Sequence, residues 1–457
     1  RSDFMKGLGF AGVGLGAAAA ASPVFRDMDE LASTDTQPRH PWWVKEREFN
    51  DLTTEIDWNV WKRRDSTKNP MPPFNTPELL SKRRALYDRD CRSNTTASSQ
   101  HKDYALSYGA RGCTPDVPWD GPDLSRSAVG GIWPHTFDLP RWQGTADENL
   151  QMIRAAAHYY GTPQVGCVEI DSKTQTLFDA GRCEYVPGLE VGFQEGTCSM
   201  IPAECKYLVT YIVKQNYVQN MYARAQDEDD EFISNRPLGG ASSADAYSHG
   251  PQIHYKLMRF IKALGYQAYT PTISGNCAAG VFSGISEQGR AGYTMHPRYG
   301  LLVRYIRFVL TDMPVAPTKP IDFGGVRFCK TCKVCAEHCP YGSVSLEDEP
   351  SWDVRDPGNN PGIKCWYQGW AACASDQGGP WDCGQCQSVC PFNGLPYAGI
   401  HNLVRGTLAT TSIFNGFFAN MEVFMGFDKR PDDKAWWDRN LDTWNSDTLL
   451  GFGTAGW

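Results

Sequence analysis

Two cysteine runs constrain this chain more than any other feature. Cys329, Cys332, Cys335 and Cys339 form C-x2-C-x2-C-x3-C with Pro340 behind them, and Cys383, Cys386 and Cys390 form C-x2-C-x3-C with Pro391 behind them. A four-iron four-sulfur cluster needs four thiolates converging on a cube, three from a tight loop and the fourth from elsewhere. Where two such runs occur together, the fourth cysteine of each crosses to the other cluster. The expected sets are Cys329, Cys332 and Cys335 with Cys390, and Cys383, Cys386 and Cys339 with one more. Cys365 and Cys373 are the candidates for that last place, and spacing alone does not separate them. Cys365, flanked by Lys364 and Trp366 ahead of the Gly-rich approach to Cys383, is preferred. A zinc ribbon would use C-x2-C pairs without a third cysteine two residues on or the terminal Cys-Pro. The chain therefore carries a module for moving electrons.

Its 457 residues are enough for two or three domains with an ample core, and 41% hydrophobic residues with 15 Trp describe a globular protein with packed aromatic walls. A net charge of −8 argues against a nucleic-acid partner, which selects basic surfaces. The acidic run Asp227 to Glu231 reads as a solvated loop. Of the 16 cysteines, those outside the two cluster sets follow no regular framework and are expected to stay mostly as thiols.

The first residues read as a targeting segment. Arg1-Ser2-Asp3-Phe4-Met5-Lys6 precedes an uncharged Gly- and Ala-rich run with small residues near its end. It resembles a twin-arginine signal, with Ser2 where the second Arg belongs. Clusters are inserted in the cytoplasm, so export of a folded protein suits such a leader. No later stretch reaches the roughly 18 apolar residues of a membrane span.

Taken in order, residues 31–142 read as an N-terminal arm and covering loops, with Trp42, Trp43, Trp58 and Trp61 strapping a core. From 143 to 318 helix and strand alternate: a helix at Asp147 to Tyr160, strands at Val165 to Ile170 and Tyr207 to Val213, a helix at Tyr255 to Leu264 closed by Gly265, and a buried strand within Tyr299 to Leu310. Such alternation argues an α/β sandwich. The cysteine module occupies 319–398. Residues 399–457 carry an apolar stretch, His401 to Phe427, expected as a core helix returning to the first domain and lining the space between domains.

At this point the residues resemble a known family. The leader with D-F-M-K, R-H-P-W-W-V-K-E-R-E at Arg39 to Glu48, S-E-Q-G-R at Ser286 to Arg290, Y-G-x-x-x-R at Tyr299 to Arg304, T-D-M-P at Thr311 to Pro314 and the two cysteine runs are similar to the corrinoid iron-sulfur reductive dehalogenases, above all those acting on chlorinated ethenes. The resemblance implies a nitroreductase-like corrinoid-binding α/β sandwich with an inserted ferredoxin-like module, one cobalamin-type corrinoid and two 4Fe-4S clusters. The corrinoid signature D-x-H-x-x-G is absent from the chain, so cobamide binding rests on the resemblance alone. The resemblance further implies a small halogenated substrate, a respiratory electron donor, a small hydrophobic membrane-anchor protein and a place at the outer face of the cytoplasmic membrane.

Reductive cleavage of a carbon–halogen bond consumes two electrons and a proton. In the family a tyrosine gives the proton and a cation supports its phenolate; Tyr247 and Arg304 match those places, with Arg290 and Arg307 as rivals to Arg304. A phenol is a competent acid toward a carbanion-like carbon, and an Arg in an apolar strand needs a buried task. Asn276 corresponds to the family's asparagine near the substrate. His249 and His254 read as satisfied hydrogen-bonding residues. Two other readings compete: a cytoplasmic epoxyqueuosine reductase-like corrinoid enzyme acting on tRNA, opposed by the acidic charge and the leader, and a two-cluster electron-carrier subunit, opposed by the roughly 300 residues ahead of the clusters.

Overall fold

The computed structural model describes residues 40–70, 76–92, 102–103, 106, 110, 141–225, 237–375, 383–393 and 399–441. The leader expected at 1–30 lies outside them, as do the acidic run and Cys113. At the centre is a four-stranded sheet in the order Val165–Glu169, Tyr207–Lys214, Val303–Thr311, Ala268–Tyr269, with every neighbouring pair antiparallel. Helix and strand do alternate along the chain as expected, and the connections are long enough that no hairpin is needed.

The strand Tyr207–Lys214 reads as a continuous apolar run because both of its faces are covered. Side chains alternate along a strand. Val209, Tyr211 and Val213 pack with Val309, Ile153, Ile253 and Leu257, whereas Leu208 packs with Phe308, Phe178 and Trp61 on the other side. The helix Ala146–Tyr160 that covers the first face is set by its ends. Thr145 and Glu148 form a capping box, and Gly161 closes the last turn at φ 110°.

A second helix on that face departs from expectation. Instead of starting at Tyr255, it runs from Pro237 to Ala263 and takes in Tyr247. Pro237 opens it, where a missing N–H costs nothing. Pro251 lies inside, cannot donate to the Tyr247 carbonyl four residues back, and reads locally as a break. Packing overrides that local signal: Ala244, Ala246, Ile253, Leu257 and Ile261 are all buried.

The N-terminal arm straps two cores, as its tryptophans suggest. Trp61 stacks on Phe282 at 5.9 Å, and Trp43 joins Phe328, Phe392 and the buried cysteines of the first run. His401 to Phe427 is not one returning helix. It is two, Gly399–Thr410 and Asn415–Phe424, and Leu408, Ala409 and Ala419 pack against the cysteine-bearing region. The return comes later, where Trp436 meets Tyr222 and Leu238.

Candidate active site

The first cysteine run begins on the helix Gly325–Thr331. Gly324 precedes it at φ 80°, and a Cβ there would stand 2.5 Å from the Leu408 carbonyl, so only glycine makes this turn. Cys329, Cys332, Cys335 and Cys390 share one buried cluster with Phe328, Trp366 and Phe392. Burial pushes Cys335 well above the usual thiol range, and Cys329, Cys332 and Cys390 push it further. Burial likewise raises Cys332 to about 12 and Cys329 to about 11, in both cases against Arg290. Thiols buried together, with Cys335 opposed by its three neighbours and Cys332 by Cys329, are held protonated unless a cationic group joins them, a donor set suited to an iron-sulfur cluster.

The second set rings a separate cavity, about 390 Å³ including its opening to solvent, lined by Cys339, Cys373, Cys383 and Cys386 with Tyr341, Gly384 and Gln387. Cys386 is raised by burial first and then by Cys383, Cys373 and Cys339. Cys365 is not in this group. It bridges Ser351 in an antiparallel pair, is raised by burial to about 12, and has Cys277 as its thiol neighbour. The preference for Cys365 over Cys373 therefore does not agree with the placement of the two side chains. Among the described residues no three His, Cys, Asp or Glu side chains are grouped tightly enough for a single metal ion; the thiols of the second set ring a space instead.

Beside this lies a larger cavity, about 1810 Å³ including its opening to solvent. Tyr247, Asn276 and Arg304 all line it, so the structure brings the three expected residues together. Arg307, Arg290, His249 and His254 are not among its lining. His254 is held between the Tyr211 hydroxyl at 2.8 Å and Thr270 Oγ1 at 2.7 Å, and burial drives its pKa down to about 3. His249 lies 3.4 Å from Asp245 on its own helix.

Arg304 owes its aim to an irregularity. Val303 pairs with Lys214 and Tyr305 with Val213, so the register slips at Arg304, a β-bulge of the kind that redirects a side chain. Its guanidinium lies 5.5 Å from the Tyr247 ring centre and 5.7 Å from that of Tyr293. Burial alone would lower the Arg304 pKa, but Tyr247, Tyr293 and Cys386 outweigh it and hold the charge on.

Tyr293 is the residue that sequence reasoning passed over. It stands at the end of a hairpin, Glu287–Gln288 against Thr294–Met295, and meets Trp370 edge-on at 5.9 Å. Burial raises its pKa, with Arg304 opposing. Tyr293, Arg304 and Gln368 line both cavities. Three side chains thus form the wall between the thiol-ringed space and the space that holds Tyr247. A lone tyrosine between two motifs carries no spacing signal that would have marked it.

No protein-family profile matches the chain. A chloroethene reductive dehalogenase of Dehalococcoides mccartyi strain VS is 31% identical over 96% of this chain and 96% of its own length. This chain belongs to the reductive dehalogenases. It is thus an oxidoreductase acting on carbon–halogen bonds. A trichloroethene reductive dehalogenase of Dehalococcoides mccartyi strain 195 is 29% identical over 96% of both chains, and a tetrachloroethene reductive dehalogenase of Sulfurospirillum multivorans is 29% identical over 52% of this one. Among solved structures, a catabolic reductive dehalogenase in complex with 3-bromo-4-hydroxybenzoic acid superposes with a TM-score of 0.57 at 19% identity. That match covers 84% of this reductive dehalogenase and 49% of the other chain, about half its length. A reductive dehalogenase whose structure suggests a mechanism for B12-dependent dehalogenation matches with the same TM-score at 18% identity. At these identities the likeness speaks for the fold.

Proposed function

We propose that this reductive dehalogenase removes chloride from a chlorinated ethene as the terminal step of an anaerobic respiratory chain. The observation that carries the reading is the shared wall of Tyr293, Arg304 and Gln368 between the cysteine-ringed cavity and the large one. The names of the relatives, which act on chloroethene, trichloroethene and tetrachloroethene, support the substrate class.

In this reading the fold is a nitroreductase-like sandwich, residues 143–318, with a ferredoxin-like module at 319–398. Cys329, Cys332, Cys335 and Cys390 hold one 4Fe-4S cluster, and Cys339, Cys373, Cys383 and Cys386 the other. Cys373 replaces Cys365 because it faces the other three thiols. The large cavity takes a cobalamin-type corrinoid together with the substrate; its opening to solvent and its mixed aromatic and amide lining suit an extended ligand. When bound, the clusters and cobalt supply the two electrons that replace the carbon–chlorine bond.

The chain's own residues handle the proton and the charge. The Tyr247 hydroxyl donates a proton to the carbon that loses chloride, so R–Cl, two electrons and one proton give R–H and chloride. Arg304, held between Tyr247 and Tyr293, stabilises the phenolate left behind. Asn276, at the start of the helix Asn276–Phe282, orients the substrate at the cavity wall.

Among the described residues no helix is long and apolar enough to cross a membrane. We place the enzyme at the outer face of the cytoplasmic membrane, exported folded, peripheral, and tied to a small hydrophobic anchor protein and a respiratory electron donor. The test is anoxic chloride release from a panel of chlorinated ethenes and chlorinated aromatics with a strong artificial reductant, alongside the absorbance spectrum and iron content of the purified protein. Chloride release from ethenes with corrinoid absorbance is expected. A protein without corrinoid absorbance, or one that dechlorinates only the aromatics, would overturn the reading.

A further inference from the structure

The segment Ser286-Glu287-Gln288-Gly289-Arg290 has no place in the chemistry above, yet both of its charged side chains are turned away from the large cavity and into the first cysteine loop. Glu287 is fully buried and its Oε2 accepts from the backbone N–H groups of Phe323 at 3.2 Å and Gly325 at 2.9 Å, where the Cys329 helix begins. Arg290, only 1% exposed, spends its whole guanidinium on backbone carbonyls. Nε donates to Cys329 at 3.0 Å and Cys332 at 2.9 Å, Nη2 to Cys329 at 2.5 Å, and Nη1 to Ser345 at 2.8 Å and Glu347 at 2.5 Å. The Trp366 ring lies 4.7 Å from it, and Trp366 Nε1 donates to the same Glu347 carbonyl. Among the described residues no carboxylate lies within ion-pair distance of Arg290. The Arg290 charge also reaches Asp348, which is itself ion-paired to Lys333 at 2.5 Å, so the guanidinium is compensated chiefly by carbonyl dipoles, and only in part.

We propose that Arg290 tunes the first cluster, holding the Cys329–Cys332 loop by its carbonyls and raising the cluster's reduction potential with its buried charge. This rests on the assignment of Cys329, Cys332, Cys335 and Cys390 as a 4Fe-4S ligand set. One-electron reduction makes a four-thiolate cluster more negative by one unit, so a fixed positive charge in a low-dielectric setting favours the reduced form. The hairpin that carries Arg290 also carries Tyr293 and Thr294 into the wall of the large cavity, so one short element braces the electron module and shapes the reaction space. Two further buried cations stand near Cys390: Arg405 donates to the Phe392 carbonyl at 3.0 Å, and Arg224 to the Ser388 carbonyl at 2.9 Å.

The experiment is an anoxic redox titration of the full purified chain, with dithionite as reductant and electron paramagnetic resonance of both reduced clusters as readout, on wild type, Arg290→Gln and Arg290→Lys. Arg290→Gln should shift one of the two cluster potentials downward and leave the other in place. Arg290→Lys, which keeps the charge and loses the fork, should stay near wild type. An unchanged potential in Arg290→Gln with both clusters present would overturn the proposal, as would an equal shift in both variants. Should Arg290→Gln fail to assemble the cluster, the neutral Arg290→Met is titrated in its place with the same downward shift expected, and loss of the cluster in every variant would overturn the proposal by reducing Arg290 to a scaffold. Wild-type protein without two cluster signals would instead remove the ligand assignment, a separate result.

Discussion

Replacing Tyr247 with Phe isolates one hydroxyl. The ring stays, so the contact of the Arg304 guanidinium at 5.5 Å, worth about 0.5–2 kcal/mol for such a pair, is retained and the helix Pro237–Ala263 keeps its packing. What is lost is the proton source. General acid catalysis contributes about 10²–10⁴-fold, or about 3–5 kcal/mol of barrier. The lower end is expected, because a second phenol, Tyr293, stands against the same guanidinium at 5.7 Å. We therefore expect kcat/KM to fall about 10²-fold, near 3 kcal/mol, with iron content and corrinoid absorbance unchanged. Arg304→Lys should fall between wild type and Tyr247→Phe, since it keeps a charge and loses the planar fork that spans two rings. The assay is chloride release under anoxic conditions with saturating artificial reductant, with deuterium incorporation from heavy water reporting the protonation step. Activity of Tyr247→Phe within a few-fold of wild type, with chemistry limiting the rate, would refute the assignment and point to Tyr293 or solvent.

Three further outcomes follow from the geometry. Cys373→Ala should reduce iron from about eight to about four atoms per chain, whereas Cys365→Ala should leave it at about eight, measured by elemental analysis; the reverse would restore Cys365 as the ligand. His254 is held neutral by burial, with its pKa lowered from 6.5 to about 3, so the folded state resists a proton that the unfolded chain accepts. Its contribution to stability is intact above pH 6.5 and declines as pH falls toward 3, by up to about 1.4 kcal/mol per pH unit, so the urea midpoint of wild type should drop more between pH 7 and 5 than that of His254→Gln. Trp61 is 1% exposed and stacks on Phe282, so Trp61→Ala should cost about 3–5 kcal/mol and lower the thermal midpoint while the cysteine-bearing core keeps its iron.

Several features of this molecule are settled by the order of residues alone, because the forces behind them are local. The capping box at Thr145 and Glu148 marks a helix start, the β-branched apolar run at Tyr207 suits a strand covered on both faces, and the spacing of Cys329, Cys332 and Cys335 suits one cluster loop. Tyr247, Arg304 and Asn276 could be matched to a family pattern, and they do meet in one cavity. What remained was decided through space. Cys365 and Cys373 are equally plausible by spacing; the choice between them depends on which thiol faces Cys339, Cys383 and Cys386, and Cys365 is drawn aside by its pairing with Ser351. Pro251 reads locally as a helix break, yet the buried face from Ala244 to Ile261 carries the helix through it. The bulge that aims Arg304, the place of Tyr293 in the wall it shares with Gln368, and the grip of Arg290 on the carbonyls of a loop some forty residues away leave no trace in periodicity or spacing. Each depends on the distance between segments that the chain brings together only when the sheet and the cysteine-bearing region pack.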